Sequence, residues 1–446
     1  MALNIPPTDR KRIVVVGGGF AGITLARNLS RRLFQVVLID RNNYHQFQPL
    51  LYQVATSSIK PGDIAFPFRK IFRHRRNVHF RMAEVTGVLP RERTVETTAG
   101  SLAYDYLVLA TGSVTNFYGM EGVEAGAFPM KDLTDALAIR NQILLSLEKA
   151  SLALGEAERR PLFNVVVVGG GLSGVELVGA LAEMKRYILP KDYPDLPVDQ
   201  MNIMLVEGSD RLLPTMHPDI SARAERLLGR MGVRVILNTQ VTDYRAGRVI
   251  FKDGSFIPSR NLVWTSGVRV EPIEGIDERR IGPGGRIQVD RFNRVAGYSR
   301  IFAVGDAAMA RTDDHPKGYP QVAREAIEEA RHLVRNLEAH ARGEGITGYT
   351  YHEYPTMAAI GRNKAFVQFK RFRMGGFMAW LAWAVVHIAF VLGVQNKLSI
   401  FIGWAWNYLT YDQPNRIIVR TQASRRPRPS RDTLREALTD WKQPSA

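Results

Sequence analysis

The residues best placed to do chemistry in this 446-residue chain are glycines behind apolar runs and acids at fixed distances after them. Ile13–Val16 leads into Gly17-Gly18-Gly19-Phe20-Ala21-Gly22, a G-x-G-x-x-G frame formed by Gly17, Gly19 and Gly22. The first glycine permits a tight turn, the second lets backbone approach a pyrophosphate, and the third lets a helix pack close on its strand. The unpaired N–H groups at the start of that helix, near Phe20 and Ala21, then face the phosphates. Asp40, at the end of the next apolar run, can hold a ribose hydroxyl pair, with Arg41 beside it. The frame returns at Gly169, Gly171 and Gly174, with Leu172 and Ser173 inside it and Glu207 as its acid. A carboxylate at Glu207 repels a 2′-phosphate, so the second site is expected to prefer NADH over NADPH.

These motifs require strand, glycine turn, helix, strand, the opening of a parallel βαβ unit. Val36–Ile39 supplies the second strand of the first unit, after a helix expected over 23–33. Ile203–Val206 supplies that of the second, after a helix expected over 175–185. Pro190, Pro194 and Pro197 mark 187–197 as an inserted loop. Three further segments fit the same scheme. Tyr106–Leu109 ends in the small-residue turn Ala110-Thr111-Gly112, and Leu262–Trp264 ends in Thr265-Ser266-Gly267. Ile301–Val304 runs into Gly305-Asp306, where the acid is either a ligand group or a helix N-cap. The fold class is therefore α/β, with two Rossmann-like dinucleotide-binding domains and a C-terminal helical region. The boundaries expected are 8–125 with 290–345 for the first domain, 126–289 for the second, 346–420 for the C-terminal membrane-associating and dimerisation region, and 421–446 for a basic, disordered tail.

Composition removes several chemistries. The chain has no cysteine, so disulfides, iron–sulfur clusters, thiolate nucleophiles and dithiol redox pairs are excluded. Neither His45 nor His387 has a partner at metal-ligand spacing, and no metal is expected. Lysine and arginine exceed aspartate and glutamate to give +17. Such a surface attracts anionic lipid or nucleic acid, but no nucleic-acid recognition motif accompanies it. The start, residues 1–12, lacks the apolar run of a secretory signal, which places the globular part in the cytoplasm. Residues 374–396 carry no charged side chain and could by length span a bilayer. A single span would put the basic tail opposite the second domain, against the usual distribution of positive charge. Trp380, Trp383, Trp404, Trp406 and Tyr408 suit an interface, with Lys370, Arg371, Arg373 and Lys397 near lipid headgroups. Attachment to one face is the favoured reading; a single span and a buried dimer helix are the alternatives. The nucleotide motifs all precede residue 310, so a chain ending near Phe372 is expected to keep both nucleotide sites.

The two glycine frames, the Ala-Thr-Gly turn and the Gly-Asp element resemble the two-dinucleotide flavoproteins. That resemblance implies FAD at Gly17, Gly19, Phe20, Ala21, Gly22, Asp40, Arg41, Gln48, Ala110, Thr111, Gly112, Gly305, Asp306 and Ala323, with Asp306 on the ribityl chain. It implies NADH at Gly169, Gly171, Leu172, Ser173, Gly174, Glu207 and Gly267. Where relatives place flavin-side cysteines, this chain has Tyr44–Ala55. That stretch, with Gly174–Leu177, Pro355–Ala365, Ala379–Trp383 and Trp404–Tyr408, is similar to the type II NADH dehydrogenases, which are single-subunit, non-pumping NADH:quinone oxidoreductases. The resemblance implies hydride transfer from NADH to FAD, then two electrons to a membrane quinone. It further implies attachment to the cytoplasmic face of the inner membrane through the C-terminal region, and a homodimer is expected. It carries Glu176 to the nicotinamide–flavin junction; the alternative is a carboxylate complementing its helix N-terminus. The family's Ala-Gln-x-Ala-x-Gln element stands here as Ala323-Arg324-Glu325-Ala326-Ile327-Glu328. Arg324 and Glu328 therefore either contact a quinone or form an i,i+4 pair on a surface helix. Two other readings fit the nucleotide motifs: an NADH:acceptor reductase serving a small electron-transfer protein, and a redox-gated binding protein.

Overall fold

The computed structural model describes residues 2–413 and 415–419; the basic tail expected over 421–446 lies outside them. Two five-stranded parallel sheets organise the chain. In the first, Lys11–Val16 lies between Phe34–Asp40 and Tyr106–Leu109, with Val78–Met82 and Ile301–Ala303 at the edges. In the second, Asn164–Val168 lies between Asn202–Val206 and Asn261–Trp264, with Val233–Ile236 and Phe128–Pro129 outermost. Each sheet thus sets the glycine strand between the strand ending in an acid and the strand ending in a small-residue turn. The valine- and leucine-rich strands are buried on both faces, as parallel strands covered by helices must be. The first sheet also closes only when the chain returns at 301–303.

The glycine helices begin earlier than sequence pattern suggests, at Phe20–Asn28 and Leu172–Tyr187. Each starts directly at its second glycine, because the turn leaves no spacer between strand and helix. The first then ends at Leu29, ahead of Phe34–Asp40. The proline segment holds a short helix, Leu189–Asp192, with Pro190 near its start, a position where the missing N–H is harmless.

The C-terminal region is built into the main core. A three-stranded antiparallel sheet, Thr356–Ala359, Ala365–Phe369 and Phe372–Gly376, precedes helices Phe377–Phe390 and Val394–Thr410. Ala379, Trp383, Ala384 and Ile400 are buried in the same cluster as Leu50, Val54, Leu177 and Leu181. Trp404 Nε1 donates to Gln53 Oε1 at 2.8 Å, and Gln413 Nε2 to Ser58 Oγ at 2.9 Å. A chain cut near Phe372 would lose this packing, so the C-terminal region cannot be removed without opening the core.

The spanning alternative is overturned. The uncharged run enters through a strand and continues as a helix of 14 residues, about 21 Å at 1.5 Å per residue, against roughly 30 Å of hydrocarbon. Gly393, at φ +82°, then turns the chain into the next helix. Among the described residues, no helix is long and apolar enough to cross a membrane. The outward sides of the pair are nevertheless apolar: Met378, Val385, Val394, Phe401, Ile402 and Leu409 are all exposed.

Candidate active site

A cavity of 570 Å³ opens at the carboxyl ends of the first sheet, within the size range of nucleotide pockets. Gly17, Gly19, Phe20, Ala21, Asp40, Arg41, Gln48, Ala110, Thr111, Gly112, Gly305, Asp306 and Ala323 all line it. Of the fourteen residues expected to hold FAD, only Gly22 does not, and its geometry explains why. A Cβ at Gly22 would sit 1.8 Å from the Gly17 carbonyl oxygen, so this glycine serves helix-to-strand packing. Gly17 has φ +97°, and a Cβ there would meet Ala110 O at 2.3 Å; the Ala-Thr-Gly turn closes directly on the glycine turn. Gly19, by contrast, has no atom within 4 Å of a built Cβ. The open space lies beside the helix start, where a pyrophosphate needs it.

The second motif repeats these relations. A Cβ on Gly174 would lie 1.9 Å from Gly169 O, while Gly171 faces open space. Thr265 Oγ1 donates to the Val168 carbonyl at 2.9 Å, closing that turn as Ala110 closes the first. Leu172 and Ser173 open the helix, and Gly267 takes φ +78° against Tyr118. The acids match as well. Asp40 Oδ2 accepts from Gly18 N–H at 2.6 Å and Oδ1 from Asn42 N–H at 2.7 Å. Glu207 Oε2 accepts from Gly170 N–H at 2.5 Å, and Oε1 from the Ser209 N–H and hydroxyl, each at 2.8 Å. Burial raises the Asp40 carboxyl above its ordinary value, and the backbone donors oppose that rise.

Sequence reading named Asp306 and Gln48 but missed Ser113, Lys131 and Gln321, which join them in a polar cluster in the cavity. The Ser113 hydroxyl donates to Asp306 Oδ2, and Lys131 Nζ reaches Ser113 Oγ at 2.8 Å and Asp306 Oδ2 at 3.5 Å. Gln321 Nε2 donates to the Asp306 carbonyl, and Gln48 Nε2 to the Lys131 carbonyl. Asp306 is thus a paired side chain aimed into the site and caps no long helix. No local signal could have found Lys131, which reaches the cavity from the crossing segment. The residues present suit FAD: open space at Gly19 beside a helix start, a strand-end carboxylate for ribose, and a hydroxyl–lysine–carboxylate group further along. The second motif suits a nicotinamide dinucleotide.

Glu176 does not line this cavity. It is the fifth residue of its helix, past the first turn, so complementing the helix N-terminus does not explain it. The side chain is buried beside Tyr52, and Oε1 accepts from Ala359 N–H at 3.2 Å. Burial pushes its carboxyl up to about 8. Arg324 and Glu328 form the expected i,i+4 pair at 2.8 Å, and Arg331 joins the same carboxylate oxygen at 2.7 Å. The pair is not on an isolated surface, however. The Arg324 guanidinium lies 5.2 Å from the Tyr354 ring centre and 5.5 Å from that of Phe390, the last residue of the first C-terminal helix. Ala323 and Ala326, on the same helix, line the cavity.

The chain resembles known proteins in agreement with this geometry. The family model described as pyridine nucleotide-disulphide oxidoreductase matches residues 11–330. The type II NADH:quinone oxidoreductase NdhA of Mycobacterium tuberculosis is 32% identical over 417 residues, covering 90% of this chain and 87% of that protein. Ndh of the same organism is 31% identical over 441 residues, covering 95% and 93%. Among solved structures, NDH2 from Plasmodium falciparum in complex with NADH superposes with a TM-score of 0.85 at 21% identity, covering 92% of this chain and all of that one. The sulfide:quinone oxidoreductase of Aquifex aeolicus superposes at 0.70 and 20% identity. These two show the fold. With both glycine sites formed and most of the chain matched above 30% identity, the chain belongs to the pyridine nucleotide-disulphide oxidoreductase family and, within it, to the type II NADH:quinone oxidoreductases.

Proposed function

We propose that this protein oxidises NADH and reduces a membrane quinone through FAD held in the 570 Å³ cavity, without pumping protons. The observation that carries the reading is the cavity itself. It joins the first glycine motif to Asp306 and Ala323, and Ala323 opens the helix that meets the exposed C-terminal pair through Arg324 and Phe390. Bound FAD supplies the chemistry, accepting a hydride and passing two electrons on. The rest falls to the chain. Gly171 and the start of the Leu172–Tyr187 helix bind the NADH pyrophosphate, and Glu207 orients its ribose and turns away a 2′-phosphate. Lys131, Ser113 and Asp306 hold the ribityl side of the flavin. Glu176, held neutral around pH 7 by burial, can give a proton toward the nicotinamide–flavin junction from outside the cavity lining. Arg324 and Glu328 border the quinone entry, where a guanidinium between two aromatic rings can donate to a quinone carbonyl.

The exposed apolar side of the two C-terminal helices favours attachment to one face of a bilayer, as an interfacial element does. Lys370 and Arg371 suit anionic headgroups there, on the cytoplasmic side. Arg373 contributes less than its charge suggests, because it is paired with Asp219 at 2.9 Å. Turnover of NADH with benzoquinone, naphthoquinone and dye acceptors, compared side by side, tests the reading. Fast reduction of at least one quinone is expected. Dye reduction with no quinone reduction would favour a small electron-transfer protein as acceptor, and negligible turnover with all would favour a redox-gated binder.

A further inference from the structure

Two carboxylic acids lie buried one turn apart on the Ala323–Ala341 helix, and neither has a role in the scheme above. Glu325 and Glu329 are each 2% exposed. Glu329 Oε2 accepts from the Gly305 backbone N–H at 2.5 Å, and Gly305 and Asp306 line the flavin cavity. Ala326, between the two acids, lines it as well. Neither carboxylate oxygen of Glu325 has a well-formed hydrogen bond. The Tyr349 hydroxyl lies alongside without hydrogen-bond alignment, and Tyr319, Tyr351 and Tyr354 complete its surroundings.

No salt bridge reaches either acid among the described residues. Arg286 is the cation that acts on Glu329, but its N–H groups donate to the carbonyls of Ala308, Lys317 and Tyr319. Arg324 and Arg331 turn to Glu328. Asp306 and Glu328 add further negative charge. Neighbouring carboxyls in such a setting cannot both ionise easily, so a proton stays with the pair. Burial, the largest cause for both, holds Glu329 at about 8 and Glu325 at about 7; the Gly305 N–H and the Tyr349 hydroxyl oppose the rise, and the charges of Glu325 on Glu329 and of Glu328 on Glu325 add to it. The Gly305 N–H favours the charged form on Glu329, but burial outweighs it, so Glu329 holds its proton the more tightly and Glu325 exchanges it the more readily.

We propose that Glu325 and Glu329 form a proton-sharing pair coupled to the flavin, storing the second proton that quinone reduction requires. The balance is simple. Hydride from NADH brings two electrons and one proton, whereas a quinol carries two electrons and two protons. When hydride enters the cavity, the added negative charge beside Gly305 and Asp306 draws a proton from water onto the pair. When the electrons leave for the quinone, the pair releases that proton. Glu325 adjoins Arg324 in sequence, so storage and acceptor entry share one helix turn. The inference rests on the FAD reading of the cavity.

The test is stopped-flow reduction of the full-length, flavin-loaded protein by NADH without quinone, in weak buffer containing a pH-indicator dye. Flavin bleaching reports hydride transfer, and the dye reports protons. Hydride transfer by itself consumes no proton, but the reduced flavin can take one up, so the uptake that belongs to the pair is the difference between wild type and the glutamine variants. Wild type is expected to take up a measurable fraction of a proton per flavin near pH 8. Glu325→Gln and Glu329→Gln should bleach with clearly less uptake than wild type at pH 8. That difference should vanish near pH 5.5, where the pair is already protonated before reduction. If Glu329→Gln loses flavin through its contact with Gly305, Glu325→Gln decides alone, because it makes no bond to the cradle. Bleaching without uptake in wild type, or equal uptake in Glu325→Gln, would overturn the pair. Failure to bleach would instead overturn the FAD–NADH reading.

Discussion

Within each glycine motif, two glycines answer opposite demands, and alanine should separate them. At Gly171 the backbone is φ −72°, ψ −173°, which alanine adopts freely, and a Cβ would meet nothing within 4 Å. Gly171→Ala should therefore leave the free protein as stable as before, or up to about 1 kcal/mol more so through the unfolded state. Its methyl group would occupy the space a pyrophosphate needs. Losing one charge-assisted backbone contact is worth roughly 1.5–3 kcal/mol, or about 10- to 150-fold in NADH affinity. At Gly174 a Cβ would stand 1.9 Å from the Gly169 carbonyl oxygen, which is backbone and cannot swing away. Gly174→Ala should cost about 1–3 kcal/mol by overpacking, lowering Tm by roughly 2–4 °C for each. Gly19→Ala and Gly22→Ala should divide in the same way, with FAD retention as the binding readout. The assays are thermal unfolding of the stripped protein, NADH titration and flavin content. A Gly171→Ala protein that binds NADH normally, or that melts several degrees early, would refute the assignment of that open space to a pyrophosphate.

Glu207→Gln should raise the NADH KM and improve relative use of NADPH; an unchanged preference in steady-state kinetics would remove the acid from the ribose. Glu328→Gln should change the quinone KM while stopped-flow reduction of the flavin by NADH is unaffected. A partly exposed ion pair is worth up to about 1 kcal/mol, so thermal unfolding of the variant is measured alongside to separate stability from acceptor binding. Glu176 binds its proton more tightly folded than unfolded, so its burial lowers stability as pH rises from about 4.3 toward about 8. Denaturant unfolding of Glu176→Gln should accordingly show a gain over wild type at pH 8 and little difference at pH 4.5; a constant difference would contradict the burial argument. Phe401→Asp with Leu409→Asp alters the exposed side of the last helix and spares the buried Ile400. The double variant should leave sedimented lipid vesicles while still reducing a soluble dye with NADH, and retention on the vesicles would exclude this face as the anchor.

What sequence made legible was what the chain specifies locally. The turn at Gly17, the close packing at Gly22 and the carboxylate of Asp40 are set by one βαβ unit, so their types and spacing sufficed, and the same holds for Gly169, Gly174 and Glu207. Asp306 was legible, but its partners were not, for the opposite reason. Ser113 and Asp306 are 193 residues apart, and Lys131 joins them from just past the Phe128–Pro129 strand of the second sheet. No periodicity announces such a meeting; it exists only once the first sheet has taken its strand from 301–303. The Ala323–Ala341 helix shows a third case. By pattern, Arg324 and Glu328 read as a quinone contact or as a pair on a surface helix, and Glu325 and Glu329 carry no signal of their own. Folding divides them: Arg324 and Glu328 pair beneath Phe390, while Glu325 and Glu329 turn inward against Gly305 and Tyr349. A polar residue in a helix is read as exposed because burying a lone charge is costly. That rule does not bind a carboxyl that can remain protonated, and here protonation is what lets two acids sit beside a cavity that receives electrons. The departure from the hydrophobic pattern thus falls where charge is expected to change during turnover, a placement that spacing along the helix does not announce.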